Sequence, residues 1–280
     1  MAADQSTVYF PDTLGELLQL YRREPQALLY AGGSYLLSQR TTRFPVFPPV
    51  VISLQDVEEL RRVARTERYV EIGAALPIRQ ILKLGKNNIP LAFYSALRNI
   101  GPPAVIGLAT LGGNIAVPGR TLTCVPVLSL LESRVELRRQ GSNRWIPVAR
   151  MHRANGTLEL EPGEIITRVR IPLQAWTLQL FRKFGSELAP DSEPLSFCGL
   201  VRSSNGIIEE LRIVGSAGQP ETVRSKEMES ELVGRRLPLG HRDVRTAVAA
   251  YGPKIENLSA IQRDRFVRLV HSFLASIRTQ

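Results

Sequence analysis

The 280-residue chain holds two cysteines and three histidines, and each scarcity removes a class of chemistry. Iron–sulfur clusters of the common types take about four cysteine ligands, so this chain cannot hold one by itself. His152, His241 and His271 are scattered and lack metal-ligand spacing, so no metal site is expected. Cys124 and Cys198 both sit among apolar residues and read as buried, inert thiols rather than a redox pair. No run approaches the roughly twenty apolar residues that span a bilayer, so no membrane insertion is expected. The start, Met1-Ala2-Ala3-Asp4-Gln5-Ser6, has no basic stretch followed by an apolar one, so no secretory signal is expected and the chain is placed in the cytoplasm. Neither G-x-G-x-x-G nor G-x-x-x-x-G-K-[ST] occurs, which leaves the Rossmann and P-loop readings without support. No acid–base constellation stands out, and no catalytic residue is assigned.

What the chain does carry is positive charge, a formal +10 at pH 7, together with a 44% hydrophobic fraction ordinary for a globular protein. The charge suits an acidic partner or an anionic cofactor. A nucleic-acid-binding module is an alternative class, but the basic residues are dispersed and no aromatic-plus-basic motif accompanies them. The densest runs, Arg61-Arg62 with Arg65 and Arg68, and Arg235-Arg236, read as solvated faces.

Two double glycines stand out. Ala109-Thr110-Leu111-Gly112-Gly113-Asn114-Ile115-Ala116 places adjacent glycines between a hydroxyl and an amide, with apolar residues on both sides. Glycine permits positive φ and leaves backbone N–H groups unobstructed, as a pyrophosphate-binding loop requires. Taken alone, this stretch reads first as a plain glycine turn between two buried segments. A second copy of the pattern, Tyr30-Ala31-Gly32-Gly33-Ser34, again follows apolar residues and precedes a hydroxyl. Two such loops can converge on one diphosphate.

Along the chain, a β-α-β start is expected: a strand at Val8-Tyr9-Phe10, a helix from Asp12 or Thr13 to about Arg23, a strand over Leu28 to Ala31, and a buried strand at 50–54. Thr13 and Glu16 form a capping-box pattern. Residues 44–49, with three prolines, connect the last two strands. A helix is expected from Asp56 to about Ala64, a strand over Tyr69 to Ala75, and short helices opened by Pro77 and Pro90. After the central loop come a helix over Pro126 to Glu132 and strands at 135–139, 145–148 and 165–172. Leu178 to Phe184 alternates as a strand, and 195–201 with 207–214 reads as a hairpin across Ser203-Ser204-Asn205-Gly206. Three helices, about 223–233, 243–251 and 259–278, end the chain, suggesting an α+β unit with helices on one sheet face. The domain boundary is placed near Pro172.

These pieces resemble, in order and spacing, the FAD-binding (medium) subunit of molybdenum hydroxylases such as carbon monoxide dehydrogenase and xanthine dehydrogenase. The resemblance rests on Ala31-Gly32-Gly33-Ser34, Thr110-Leu111-Gly112-Gly113-Asn114-Ile115, Ile72-Gly73-Ala74, Gly163-Glu164-Ile165-Ile166 and Arg182-Lys183-Phe184-Gly185. It implies an α+β fold: an FAD-binding domain of two α+β subdomains (PCMH-type) over 1–172, split near 56, then a C-terminal α+β domain over 173–280 with a three-stranded antiparallel sheet and helices. It further implies non-covalent FAD, with the diphosphate clasped by Ala31, Gly32, Gly33, Ser34, Thr110, Gly112, Gly113 and Asn114. Thr123 falls at the ribityl contact and Lys183 near the flavin ring. Molybdopterin and [2Fe-2S] clusters are expected only on partners, a molybdopterin-binding large subunit and an iron–sulfur small subunit; a dimer of heterotrimers is one assembly this allows.

The chain also departs from the family pattern. Gly119 and Thr123 stand where a serine and an aspartate are usual, Ala104-Val105-Ile106-Gly107 replaces Gln-Ile-Arg-Asn, Tyr35 replaces an acid, and the arginine expected after the lysine is absent from Gly185-Ser186-Glu187. Two functions therefore follow from the resemblance: an electron-transfer flavoprotein subunit, in which FAD does the chemistry, or a degenerate, flavin-poor structural subunit of such a complex.

Overall fold

The computed structural model of the chain describes residues 6–39 and 46–278. Met1–Gln5 of the stretch read for a signal, and Phe44 and Pro45 of the proline connector, lie outside the described residues. The chain begins with β1 (Thr7–Tyr9), α1 (Leu14–Arg23), β2 (Leu28–Tyr30), α2 (Ser34–Ser38) and β3 (Val50–Ser53). The strands form a parallel sheet in the order β1-β3-β2. Thr13 caps α1 by accepting from the Glu16 amide at 3.2 Å. The Glu16 carboxylate accepts from the Asp12 amide at 3.0 Å, so the reciprocal half of the expected box lands one residue earlier. Leu14 and Leu17 bury the inner stripe of the helix among Ile52, Val57 and Leu60.

The next segment runs through β4 (Val63–Arg65), β5 (Tyr69–Gly73), α3 (Ile78–Leu82), α4 (Leu91–Arg98), α5 (Pro103–Leu108), α6 (Leu111–Ile115), α7 (Cys124–Leu130), β6 (Arg134–Arg139), β7 (Ser142–Pro147) and β8 (Ile165–Pro172). Its antiparallel sheet has the order β4-β5-β8-β6-β7. The helix expected from Asp56 to Ala64 is replaced by a 3-10 turn, Glu58–Arg61, followed directly by β4. Pairing with β5 overrides the helical pattern, because a strand ladder satisfies backbone groups that a short exposed helix would leave to water. Leu60 O accepts from the Ala75 amide and Arg62 O from the Gly73 amide, each at 2.9 Å.

The chain closes with β9 (Leu178–Phe184), β10 (Leu195–Ser204), β11 (Ile207–Ser216), α8 (Lys226–Leu232), α9 (His241–Ala249) and α10 (Ala260–Ser276). The three strands make an antiparallel meander, with the expected hairpin turning at Asn205-Gly206. Helices were expected on one face of this sheet, yet both faces are covered. Leu195, Phe197 and Val201 of β10 point into a core with Met228, Phe266 and Phe273. Cys198 and Leu200, on the alternate face, join the central core with Phe93, Leu97 and Leu128 of α4 and α7. Gly199 leaves room for the Phe273 ring, since a Cβ there would lie 2.6 Å from it. Each fully buried Phe, Leu or Val contributes about 1.5–3 kcal/mol, so the two-sided burial of β10 ties the end of the chain to its middle. Gln179 of β9 adds a polar tie, accepting from the Ala92 amide at the start of α4 at 3.0 Å.

The whole is α+β, with a small parallel-sheet unit, a five-stranded antiparallel unit and a three-stranded antiparallel unit with helices. No helix among the described residues is long and apolar enough to cross a membrane.

Candidate functional site

The first glycine loop leaves β2 at Tyr30 and turns into α2. Gly33 adopts the left-handed region at φ 64°, where a side chain is strained. Gly32 lies directly against the second glycine segment: a Cβ on it would sit 1.7 Å from Leu108 O and 3.3 Å from the Ala109 nitrogen. That contact brings the two loops together, and only glycine permits it. No described residue accepts from the Gly32 or Gly33 amide. Ser34 opens α2, where the first amides of a helix have no intrahelical partner.

Between the loops lies a cleft of about 320 Å³ whose lining includes Ala31, Gly32, Leu108 and Thr110, with Asp56 and Arg61 on it as charged residues. Neither charged residue was assigned to the site from sequence. A cue existed in hindsight only for Arg61, which follows the Leu60 whose carbonyl the Gly73-Ala74-Ala75 turn grips.

The second loop is built differently. Thr110 is the N-cap of α6, its hydroxyl oxygen accepting from the Gly113 amide at 3.2 Å. Gly112 donates to Ala74 O at 2.8 Å, and a Cβ on it would meet the Ala74 methyl at 2.8 Å. Asn114 N donates to Thr110 O at 2.9 Å, and its side-chain Oδ1 accepts from the Cys124 amide at 3.0 Å, at the start of α7. The stretch is thus a helical turn, buried except at Gly113, whose amides from Leu111 to Asn114 are already used. The Thr110 amide and hydroxyl hydrogens and the Asn114 side-chain N–H groups are what it has left to donate. Behind it, His152 Nε2 lies 2.9 Å from Ile115 O, and burial holds the imidazole below its ordinary pKa.

Thr123 and Lys183, assigned by resemblance to the flavin's ribityl and ring region, do not line this cleft. They meet each other instead. Lys183 Nζ pairs with Glu187 at 2.7 Å, both side chains being 7% and 6% exposed. Thr123 Oγ1 accepts from Lys183 Nζ at 2.8 Å and donates to Glu187 Oε1 at 3.0 Å. The Arg120 guanidinium donates to Glu187 O, and the Thr121 hydroxyl lies 2.7 Å from Ser216 Oγ. Residues 120–123 are therefore fastened to the three-stranded unit. Cys124 sits next to this ion pair, and burial raises its thiol pKa far above the usual range. Glu187, the organiser of the cluster, was noted from sequence only as a place where an arginine was missing.

The residues present thus fit FAD at one end. Gly32 lines the cleft and the Gly32 and Gly33 amides have no described partner, while the assigned ring-end lysine is paired with its own carboxylate. No group of three or more His, Cys, Asp or Glu among the described residues could hold a metal ion.

Comparison with known proteins places the chain. The family described as "FAD binding domain in molybdopterin dehydrogenase" matches residues 4–174. Aldehyde oxidase 2 of Cavia porcellus is 30% identical over 281 residues, covering 90% of this chain but 21% of that protein. The xanthine dehydrogenase FAD-binding subunit of Escherichia coli O157:H7 is 25% identical over 222 residues, covering 78% of this chain and 75% of that subunit. The chain therefore corresponds to a small part of the aldehyde oxidase and to most of the bacterial subunit. A carbon monoxide dehydrogenase structure from Hydrogenophaga pseudoflava superposes with a TM-score of 0.80 at 21% identity, covering 98% of this chain and 96% of the compared chain, and so shares its fold.

Proposed function

The chain belongs to the family of FAD-binding domains of molybdopterin dehydrogenases, and from that premise we propose that it is the electron-transferring flavoprotein subunit of a molybdopterin-dependent hydroxylase or dehydrogenase. The chemistry that bound FAD supplies is electron exchange between the iron–sulfur clusters of a partner and an external acceptor. The residues of this chain bind and orient. The open amides of Gly32 and Gly33, with the hydroxyls of Ser34 and Thr110, hold the diphosphate. Gly112 keeps α6 against Ala74, and Gly113 and Asn114 hold Thr110 in place; these three stand behind the cleft lining rather than on it. The observation that carries this reading is the seat of Gly32 on the Leu108–Ala109 backbone, which places a free-amide loop opposite Thr110.

The same proposal includes a molybdopterin-binding large subunit and an iron–sulfur small subunit as partners, in a cytoplasmic complex. It also includes a division of the chain after residue 172 with a further split near 56, supported by the change of sheet between β8 and β9. The test is direct: purified chain incubated with FAD and freed of excess cofactor is expected to retain flavin absorption in stoichiometric amount. A colourless protein overturns the proposal.

One observation favours a second reading. The closed Thr123–Lys183–Glu187 cluster leaves no free cation at the assigned ring position, as expected of a structural subunit that has lost its grip on flavin. An assembled complex of normal subunit content but without flavin is the outcome that selects this reading.

A further inference from the structure

We propose that Arg61 is the cation that recognises the anionic diphosphate in the cleft between the two glycine loops. The inference rests on the FAD reading above and deepens it. Arg61 is the cationic residue among those lining the cleft that also holds Gly32, Leu108 and Thr110. Its position is built rather than incidental. It ends the Glu58–Arg61 turn, whose backbone is clamped by the Ala75 amide on Leu60 O and the Gly73 amide on Arg62 O. The clamp needs glycine at 73, because a Cβ there would lie 2.3 Å from Leu60 O and 2.8 Å from the Arg61 nitrogen.

The side chain is also left available. Its neighbour Arg62 pairs with Glu58 at 3.7 Å, whereas the Arg61 guanidinium has no carboxylate among the described residues and makes a single bond, from Nη1 to Gln55 O at 3.1 Å. That bond orients the planar fork and leaves the remaining N–H donors free. Such a fork matches a phosphate in two-point contact, which a lysine cannot reproduce. The free amides of Gly32 and Gly33 contribute partial charges only, so a full cation beside them supplies what the loop lacks. Asp56, also on the cleft, offers acceptors alone and suits sugar hydroxyls rather than phosphate.

The experiment titrates FAD and ADP into the full chain and into Arg61→Ala, Arg61→Lys and Arg65→Ala, at several salt concentrations. ADP carries the diphosphate without the flavin. Arg61 is exposed, so its removal leaves the fold intact, which thermal melting checks. Arg61→Ala is expected to weaken both ligands about ten- to hundredfold and to flatten the salt dependence of binding, with Arg61→Lys between the two. Arg65→Ala, an exposed cation on β4 outside the cleft, is expected to bind like the wild type. Arg61→Ala that binds FAD and ADP as tightly as the wild type, or Arg65→Ala that loses as much, overturns the assignment while leaving the FAD reading standing. A wild-type chain that binds neither ligand overturns both.

Discussion

Gly32-Gly33 and Gly112-Gly113 look like two copies of one device, yet the chain uses glycine in them for different reasons. In the first, glycine supplies a left-handed turn at residue 33 and lets residue 32 touch the backbone of Leu108, leaving amides free at the mouth of a cleft. In the second, the pair lies within a helical turn; Gly112 is buried against Ala74, and the amides of residues 112–114 are bonded within the protein. A double glycine therefore signals a close approach without saying whether ligand or protein approaches. On the proposed reading, anion binding falls to the first loop and Arg61, and the second loop contributes Thr110 and a bonded support behind it.

The sharpest way to break this asymmetry is Gly32→Ala. A methyl group overlapping Leu108 O must pry the loops apart, with a stability loss at or above the top of the usual range of about 1–3 kcal/mol for overpacking. FAD affinity is expected to fall at least about tenfold. Gly112→Ala comes next. Its Cβ meets the Ala74 methyl at 2.8 Å, so thermal or denaturant unfolding is expected to show a loss of about 1–3 kcal/mol. In the surviving folded protein FAD affinity is expected to change little. The reverse pattern, intact stability with lost binding in Gly112→Ala and retained binding in Gly32→Ala, would exchange the roles of the two loops.

Smaller effects sharpen the comparison. Asn114→Ala removes the acceptor for the Cys124 amide and is expected to cost about 0.5–2 kcal/mol of stability, as loss of a helix cap does. A loss of FAD affinity far beyond the change in stability would show that the Asn114 side chain also reaches the ligand. The smallest effect concerns His152, which braces the far end of the second loop through Ile115 O. Burial lowers its folded-state pKa from the ordinary 6.5, so below that value the unfolded chain takes up the proton first. Stability is expected to fall as pH is lowered beneath about 6.5, down to the folded-state pKa, and His152→Gln is expected to flatten this slope in pH-dependent melting curves.

Much of the fold was legible because it follows from periodicity. β9 occupies the residues that its alternation marks, and α10 spans its apolar stripe from Ala260 to Ser276 behind a Ser259 capping box. The Glu58–Arg61 region was not legible, since its acids and leucine carry a helical pattern that only the partner strand β5 overrules. The two covered faces of the three-stranded sheet were also hidden. A strand buried on both sides shows a largely apolar run, Leu195 to Val201 broken only by Ser196, and such a run does not say what lies on each side.

Order and spacing of short motifs determined the family and the cofactor class, and the scarcity of cysteine and histidine left this chain without ligands for a common iron–sulfur cluster of its own. Those properties are local or compositional, so one dimension suffices to carry them. Tertiary structure alone decided that the second glycine loop is bonded from within, that Lys183 is paired with Glu187, and that the exposed Arg61 borders the cleft. Each depends on which distant carbonyl, carboxylate or glycine comes within a few ångströms. Hydrogen bonds and ion pairs act only at that range, so the partner across the fold settles whether a polar group is spent or free.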